Sequence, residues 1–512
     1  MLPVRSAPLF STPPLNVRLL LVLVCALHFG LGALLGLSVD ESHYALYAAH
    51  LDWSYFDHPP MVGWAQWPLV ALNAPTWLLR LVPESLWLAT ALAVYALAER
   101  LQATPSDRDA VPPPGQAGFW AVLALALAPL LHVLGIGLLP DTLLVFFTVI
   151  TMWLTLNLMD ADTVRRPLPW LALGVVLGLA GLSKYTAIFA AIAVGLCLLS
   201  AHGLSLLRNA WLWIALLVAV LLVVPVAYWN YQNHWISFTY QAQHGAGGGW
   251  QAVHVLRFLV VQILVYGPLL LWGLTGLRHG TTARVTRSLG LFFALPFVVL
   301  AVLSGGGTSL PHWTAPACVA LAPFAGQGLA RAWHQGCRWV IRALVALQVL
   351  LCVAAFGLML TAGLPLFTNA SGQGNSAHPS NPFADLHGWD VAGARAQALA
   401  QQQGLQSVAV QNWTLASRLG WYARPLPVFV LEDRFDQFDL WAGDLAVGGD
   451  TLLVDWSQLG YEPPVGAHGF AGCTQLDTQD VYRLGRVVAS FRFYACHNWS
   501  GQPQPRLIGT PS

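Results

Sequence analysis

Two kinds of polar residue stand out in a chain that is 56% hydrophobic and only 9% charged. One is a set of carboxylates beside apolar runs: Asp40-Glu41, Asp57 in Tyr55-Phe56-Asp57-His58-Pro59-Pro60, and Asp141 in Pro140-Asp141-Thr142. The other is Lys184, the only lysine among 512 residues, within Gly181-Leu182-Ser183-Lys184-Tyr185-Thr186. A carboxylate can take a proton from a hydroxyl nucleophile, and a compact ammonium can hold a phosphate as it leaves. Such a set supports group transfer from a phosphate-bearing donor. Each member also has a plain reading: Lys184 as a snorkelling interface residue, Asp40-Glu41 as a hydrated pair at a helix end, Asp57-His58 as a rigid turn, and Asp141 as a helix cap.

The elements that position these residues are membrane spans. Ordinary soluble domains carry far more charge, so the composition indicates a polytopic α-helical membrane protein. Apolar stretches give about 11 spans with cores at 17–37, 78–98, 117–135, 141–159, 168–183, 186–201, 210–229, 254–276, 289–304, 313–330 and 339–361. The first run lacks a clear cleavage site before Asp40-Glu41 and is read as a retained helix. Arginines such as Arg18, Arg100, Arg165, Arg166, Arg208, Arg331 and Arg342 fall at the amino terminus or after even-numbered spans, whereas the other side holds only Arg80, Arg257 and Lys184. This asymmetry predicts a cytoplasmic amino terminus and, with an odd number of spans, a carboxyl-terminal segment outside.

A membrane domain is expected over 1–362 with a long first outer loop, 38–77. A Gly-, Ser-, Asn- and Pro-rich linker follows over 363–384, and then a small α/β domain, 385–512. In the last of these, 390–403 and 414–422 read as helices and 407–410, 428–431 and 451–455 as strands. Cys473 and Cys496 are its only cysteines, and an oxidising compartment would permit a disulfide between them. The bilayer is an expected partner and nucleic acid is not.

This topology gathers the unusual polar groups on the outer side. Asp40, Glu41, Tyr44, Asp57 and His58 lie in the first outer loop, Asp141 and Lys184-Tyr185 at the next turns, and His312-Trp313 at the last. Loops converging on one face suit a site built from helix ends. A carboxylate pair offers a base, while Lys184, Arg80 and His58 offer cationic or potentially cationic contacts for phosphate. His312-Trp313 has an aromatic-belt reading as well. Two rivals are a transporter or lipid-linked-sugar flippase, for which midplane polar groups and repeated halves are expected, and a metal-dependent hydrolase, for which no tight ligand spacing is found.

Asp40-Glu41, the Tyr55-Phe56-Asp57-His58-Pro59-Pro60 loop, Pro140-Asp141-Thr142 and Ser183-Lys184-Tyr185-Thr186-Ala187 together resemble bacterial glycosyltransferase family 39 over roughly residues 17–360. That family includes protein O-mannosyltransferases and lipid A aminoarabinose transferases. The resemblance implies a C-type glycosyltransferase fold, a polyprenyl (undecaprenyl) phosphate sugar donor and a cell-envelope acceptor. It also implies inversion at the anomeric carbon and no metal or other cofactor. By the same resemblance Asp40 matches the acceptor base or orienting acid, Glu41 its partner, and Asp141 the acid of the second outer loop. Lys184, Arg80 and His58 are the expected phosphate contacts, and Asp57, Tyr44, Tyr185 and His312 the expected substrate contacts. One position departs from the pattern: His58 stands where aminoarabinose transferases carry lysine, and the loop lacks a residue present in the mannosyltransferase form, which leaves the acceptor open.

Overall fold

The computed structural model describes residues 12–101, 113, 115–278, 283–367, 381–459 and 461–502. The helices preceding the linker are α1 (Leu15–Leu34), α2 (Val39–Ala49), α3 (Met61–Ala71), α4 (Leu81–Arg100), α5 (Gln116–Ala126), α6 (Pro129–Ile136), α7 (Pro140–Leu158), α8 (Pro167–Ser183), α9 (Ile188–His202), α10 (Ala210–Gln232), α11 (Ile236–Ala246), α12 (Ala252–Tyr266), α13 (Pro268–Arg278), α14 (Ala283–Leu303), α15 (Ala315–Ala320), α16 (Ala322–His334) and α17 (Arg338–Leu360). After the linker come α18 (Trp389–Gln403), β1 (Val408–Val410), α19 (Trp413–Tyr422), β2 (Val428–Val430), α20 (Gln437–Trp441), β3 (Thr451–Trp456), β4 (Phe470–Arg483) and β5 (Arg486–Trp499).

They form two compact units. The first comprises Met1–Gly30, Leu51–Ala65 and Arg80–Val353; the second comprises Leu31–His50, Gln66–Leu79 and Ala354–Ser512. The expected outer loop 38–77 is therefore largely helical, and its segments are divided between the units. Most of the expected linker, 368–380, lies outside the described residues.

Among the described residues seven helical stretches are long and apolar enough to cross a membrane: Leu15–Leu34, Thr76–Arg100, Pro140–Leu158, Tyr185–Arg208, Ala210–Gln232, Ser288–Gly306 and Arg338–Leu360. The expected spans 117–135 and 254–276 are bent pairs: α5 and α6 meet at 79°, and α12 and α13 at 97°. Pro129 and Gly267-Pro268 stand at the two breaks, where missing N–H groups and a positive φ at Gly267 disrupt the helical ladder. The expected span 168–183 is the shorter apolar helix α8, and 313–330 is divided between α15 and α16. The chain is a multi-pass membrane protein.

Within the first unit α7 is the central helix, with 78% of its apolar window buried against 11% for α10. Small residues let α8 and α10 approach closely: a Cβ on Gly174 would stand 2.5 Å from the Ala215 carbonyl oxygen, and one on Gly178 would stand 2.5 Å from Leu222. The outward face of α10 is leucine- and valine-rich, which suits contact with lipid.

The second unit carries a five-stranded sheet in the order β2-β1-β3-β5-β4. β1 runs parallel to β2 and β3, whereas β5 is antiparallel to β3 and β4. The expected helices and strands between 390 and 455 are present, so this part has the anticipated α/β character. The β4–β5 hairpin is an addition to that reading. Its turn, Leu484-Gly485, has positive φ at both residues, as a two-residue hairpin requires. Cys473 and Cys496 face each other across the pair and form a disulfide. The core of this unit joins Ala45 and Leu46 of α2 to Trp389, Leu415, Leu419 and the inner face of the sheet.

Candidate functional site

In the first unit the sequence candidates Asp141, Lys184 and His312 come together. Pro140 opens α7 at a position where a proline costs no hydrogen bond, which places Asp141 in the first helical turn. Lys184 ends α8: its backbone N–H still bonds Ala180, but its own backbone is extended before the short turn Tyr185–Ala187. Their side chains meet in a two-pronged ion pair, with Lys184 Nζ 2.7 Å from Asp141 Oδ1 and 2.6 Å from Oδ2. Asp141 is 1% exposed and Lys184 6%, so each charge depends on the other.

Two neighbours from the turn before α15 complete this group. His312 Nε2 lies 3.8 Å from Asp141 Oδ2, and the Trp313 ring lies with its centroid 5.8 Å from Lys184 Nζ. That turn is braced from α12, since the Tyr266 hydroxyl donates to the Pro311 carbonyl at 3.2 Å and Thr314 donates to Gln262. Burial pushes the His312 imidazole down to about 4; Asp141 opposes the shift, and Lys184 and His58 add to it. His312 is therefore neutral at pH 7 and does not add a second cation to the group.

Asp57 and His58 are side by side, with His58 Nε2 3.9 Å from Asp57 Oδ2. Their loop is fastened from α11: Ser237 Oγ donates to the Tyr55 carbonyl at 2.8 Å, and Gln241 donates to the Asp57 carbonyl. Tyr185 is half-buried, 3.5 Å from the Ser54 hydroxyl, with Phe238 against its ring. Arg80 is buried where α4 begins. Leu144, Thr148, Phe189, Phe292, Leu300 and Trp313 line a narrow apolar crevice, so the tryptophan beside Lys184 also borders that crevice. Among the described residues no three His, Cys, Asp or Glu side chains form a metal-binding group.

The remaining candidates belong to the second unit. Asp40 lies in the first turn of α2, and the field of Arg418 reaches it. Glu41 acts locally, in a capping box: its Oε2 accepts from the Ser38 N–H at 2.9 Å while Ser38 Oγ accepts from the Glu41 N–H at 3.3 Å. Tyr44 is buried against His43 and Tyr47.

Arg418, the buried cation whose field reaches Asp40, was not singled out in the sequence. It is fully buried in α19, stacked over Trp389 and Trp456 and paired with Asp385. The only hint in the chain was an arginine inside an apolar helical stripe, Leu415-Ala416-Ser417-Arg418-Leu419.

Comparison with known proteins adds relatives to this geometry. Residues 57–229 match the family model for dolichyl-phosphate-mannose-protein mannosyltransferases. The lipid A galacturonosyltransferase RgtD of Rhizobium johnstonii is 26% identical over 312 residues, covering 59% of this chain and 62% of the relative. The match thus spans less than two thirds of that relative's length. ArnT from Cupriavidus metallidurans in the apo state aligns over 96% of this chain and 99% of its own with TM-score 0.61 at 18% identity. The same protein bound to undecaprenyl phosphate aligns over 93% of this chain and 97% of its own, with TM-score 0.59 and 18% identity. The chain therefore has the C-type glycosyltransferase fold of ArnT, and residues 57–229 are similar to the mannosyltransferase family.

Proposed function

We propose that the protein is a glycosyltransferase of the bacterial inner membrane that moves one sugar from undecaprenyl phosphate to a cell-envelope glycolipid of the lipid A type. The observation that carries this reading is the buried Lys184–Asp141 pair beside Trp313 and an apolar crevice. An ammonium has three N–H donors, and Asp141 accepts two of them; the third is available to a phosphate oxygen. Holding Lys184 in place before the donor arrives removes an ordering cost from the reaction. The ArnT structure with undecaprenyl phosphate and the galacturonosyltransferase relative support the donor and acceptor classes.

In the reaction the acceptor hydroxyl attacks the anomeric carbon, its proton passes to a carboxylate, and the bond from that carbon to the phosphate oxygen breaks. The electron pair leaves on the phosphate, where Lys184 lowers its energy. Asp40 is the base that the family pattern implies; Glu41, with one oxygen committed to capping α2, is a positioning residue. Arg80 and His58 are further phosphate contacts, and Asp57, Tyr44, Tyr185 and His312 orient the sugar or acceptor. The charge asymmetry of the loops supports a cytoplasmic amino terminus and, with an odd number of spans, a periplasmic carboxyl-terminal α/β part.

The test is transfer in proteoliposomes from undecaprenyl-phosphate galacturonic acid to lipid A, read by mass spectrometry, for wild type, Asp40→Asn and Lys184→Ala. Loss of about 10²-fold or more in both variants is expected. Full activity in both sinks the site assignment; no transfer with any polyprenyl-phosphate sugar sinks the function. A second reading, movement of a lipid-linked sugar across the bilayer, draws on the two broken spans. Fluorescent-lipid translocation without transfer would establish that reading instead.

A further inference from the structure

Apart from the Lys184 pair, three ionisable side chains of the first unit form a hydrogen-bonded line among apolar helices. Glu84 of α4, His28 of α1 and His132 of α6 are 5%, 2% and 3% exposed. Glu84 Oε2 lies 2.6 Å from His28 Nδ1, His28 Nε2 lies 2.8 Å from His132 Nδ1, and His132 Nε2 lies 2.9 Å from the Ala126 carbonyl oxygen. The last contact orders the rest. A carbonyl only accepts, so His132 Nε2 must carry hydrogen, and the two remaining contacts hold one hydrogen each. With no proton on the second Glu84 oxygen, the three groups together are neutral wherever the shared protons sit along the line. Neutrality of the set is how a carboxyl group is accommodated inside an apolar span. The line also ends on a carbonyl, which cannot pass a proton on, so it is a clamp and not a conduit.

What it clamps is α6. Ala126 is the last residue of α5, and its carbonyl sits at the 79° break, where His132 supplies a donor. One turn further on, a Cβ at Gly135 would stand 2.5 Å from His28 Cε1 and 3.1 Å from Trp87 Cδ1, so the His28 ring lies directly on the α6 backbone. The far end of α6 is tied to the site: Thr142 Oγ1 donates to the Leu134 carbonyl at 3.1 Å and accepts from the Leu139 N–H at 3.3 Å. Thr142 is the neighbour of Asp141.

We propose that Glu84, His28 and His132 are positioning residues that set, through α6 and Thr142, the placement of Asp141 and hence of Lys184 Nζ. The proposal deepens the reading of Lys184 as the donor-phosphate cation and rests on it for its functional consequence. The solitary lysine makes a direct test available, because full-length protein labelled with ¹⁵N-lysine in nanodiscs gives one side-chain ammonium signal. Asp141→Asn supplies the reference for a released lysine. Glu84→Leu and His132→Leu are expected to move the signal toward that reference and to weaken undecaprenyl phosphate binding by about tenfold. Glu84→Gln, whose amide can donate to His28 Nδ1, is expected to keep both within about twofold of wild type. Thr142→Val cuts the link while leaving the three side chains in place, and it is expected to move the signal in the same direction.

An unmoved lysine signal in Thr142→Val overturns the proposal, and does so even if the Glu84 or His132 variants fail to fold. Equal disruption by Glu84→Gln and Glu84→Leu overturns its hydrogen-bonded form. A wild-type signal that ignores undecaprenyl phosphate overturns the donor reading instead, and leaves the clamp to be judged on the variants.

Discussion

Lys184 and Asp141 illustrate how one pair can serve both folding and chemistry. Removing either partner leaves a buried charge, which costs about 3–5 kcal/mol. Lys184→Ala should therefore lower both stability and donor binding, whereas the double variant Lys184→Ala/Asp141→Ala should recover stability without recovering binding. Thermal unfolding and undecaprenyl phosphate titration, compared across the four proteins of the cycle, separate the two roles. If the double variant binds like wild type, the pair is only structural. Lys184→Arg keeps the charge but not the compact geometry; it should fold and bind the phosphate lipid more weakly. The lysine was legible in the sequence because it is unique and lies between apolar runs. Its pairing with Asp141, 43 positions away, was not, because both residues read equally well as separate helix-end groups. His28 and Glu84 escaped notice for a related reason: a lone polar residue in a span shows its cost but not its partner.

Helices and strands show a similar division between what local pattern reveals and what tertiary packing adds. Apolar length located the bent spans 117–135 and 254–276, but a hydropathy run does not register the angle introduced at Pro129 or Gly267. Short, largely apolar runs marked β1, β2 and β3, while β4 has a mostly polar, partly exposed face and gave no such signal. Close helix packing yields a prediction here: Gly174→Leu should separate α8 from α10 and shift the end of α8, where Lys184 sits. Cross-linking of cysteines introduced on α8 and α10 should fall, and undecaprenyl phosphate binding should weaken with it; unchanged cross-linking would count against the close approach. At the start of α20, Asp436 caps the helix by accepting from the Phe438 N–H at 2.7 Å, and burial raises its pKa to about 7. The folded form therefore binds a proton between roughly pH 4 and 7 that the unfolded chain has released, so stability of this segment falls as pH rises through that window. Asp436→Asn keeps the cap and removes the charge. Hydrogen exchange over residues 437–441, corrected for intrinsic rates, should accelerate from pH 5 to pH 8 less in the variant than in wild type.

The whole molecule combines a hydrophobic first unit with an α/β second unit closed by a disulfide-linked hairpin. Composition alone made the membrane class unavoidable, and the order of the motifs along the chain carried the resemblance to glycosyltransferase family 39. The composition of the two units was less visible, because α2 follows directly on the first span in sequence yet packs its apolar side with α19 in the second unit. Cys473 and Cys496 then have a use beyond holding two strands together. Their bond forms only on the oxidising side of the membrane, so each polypeptide carries a covalent record of whether its tail has crossed. Alkylation with a heavy thiol tag before and after reduction would sort newly made from matured copies in a single gel lane, and would test the predicted periplasmic tail without adding a reporter fusion. Copies whose Cys473 and Cys496 stay reactive throughout the cell cycle would place the tail in the cytoplasm.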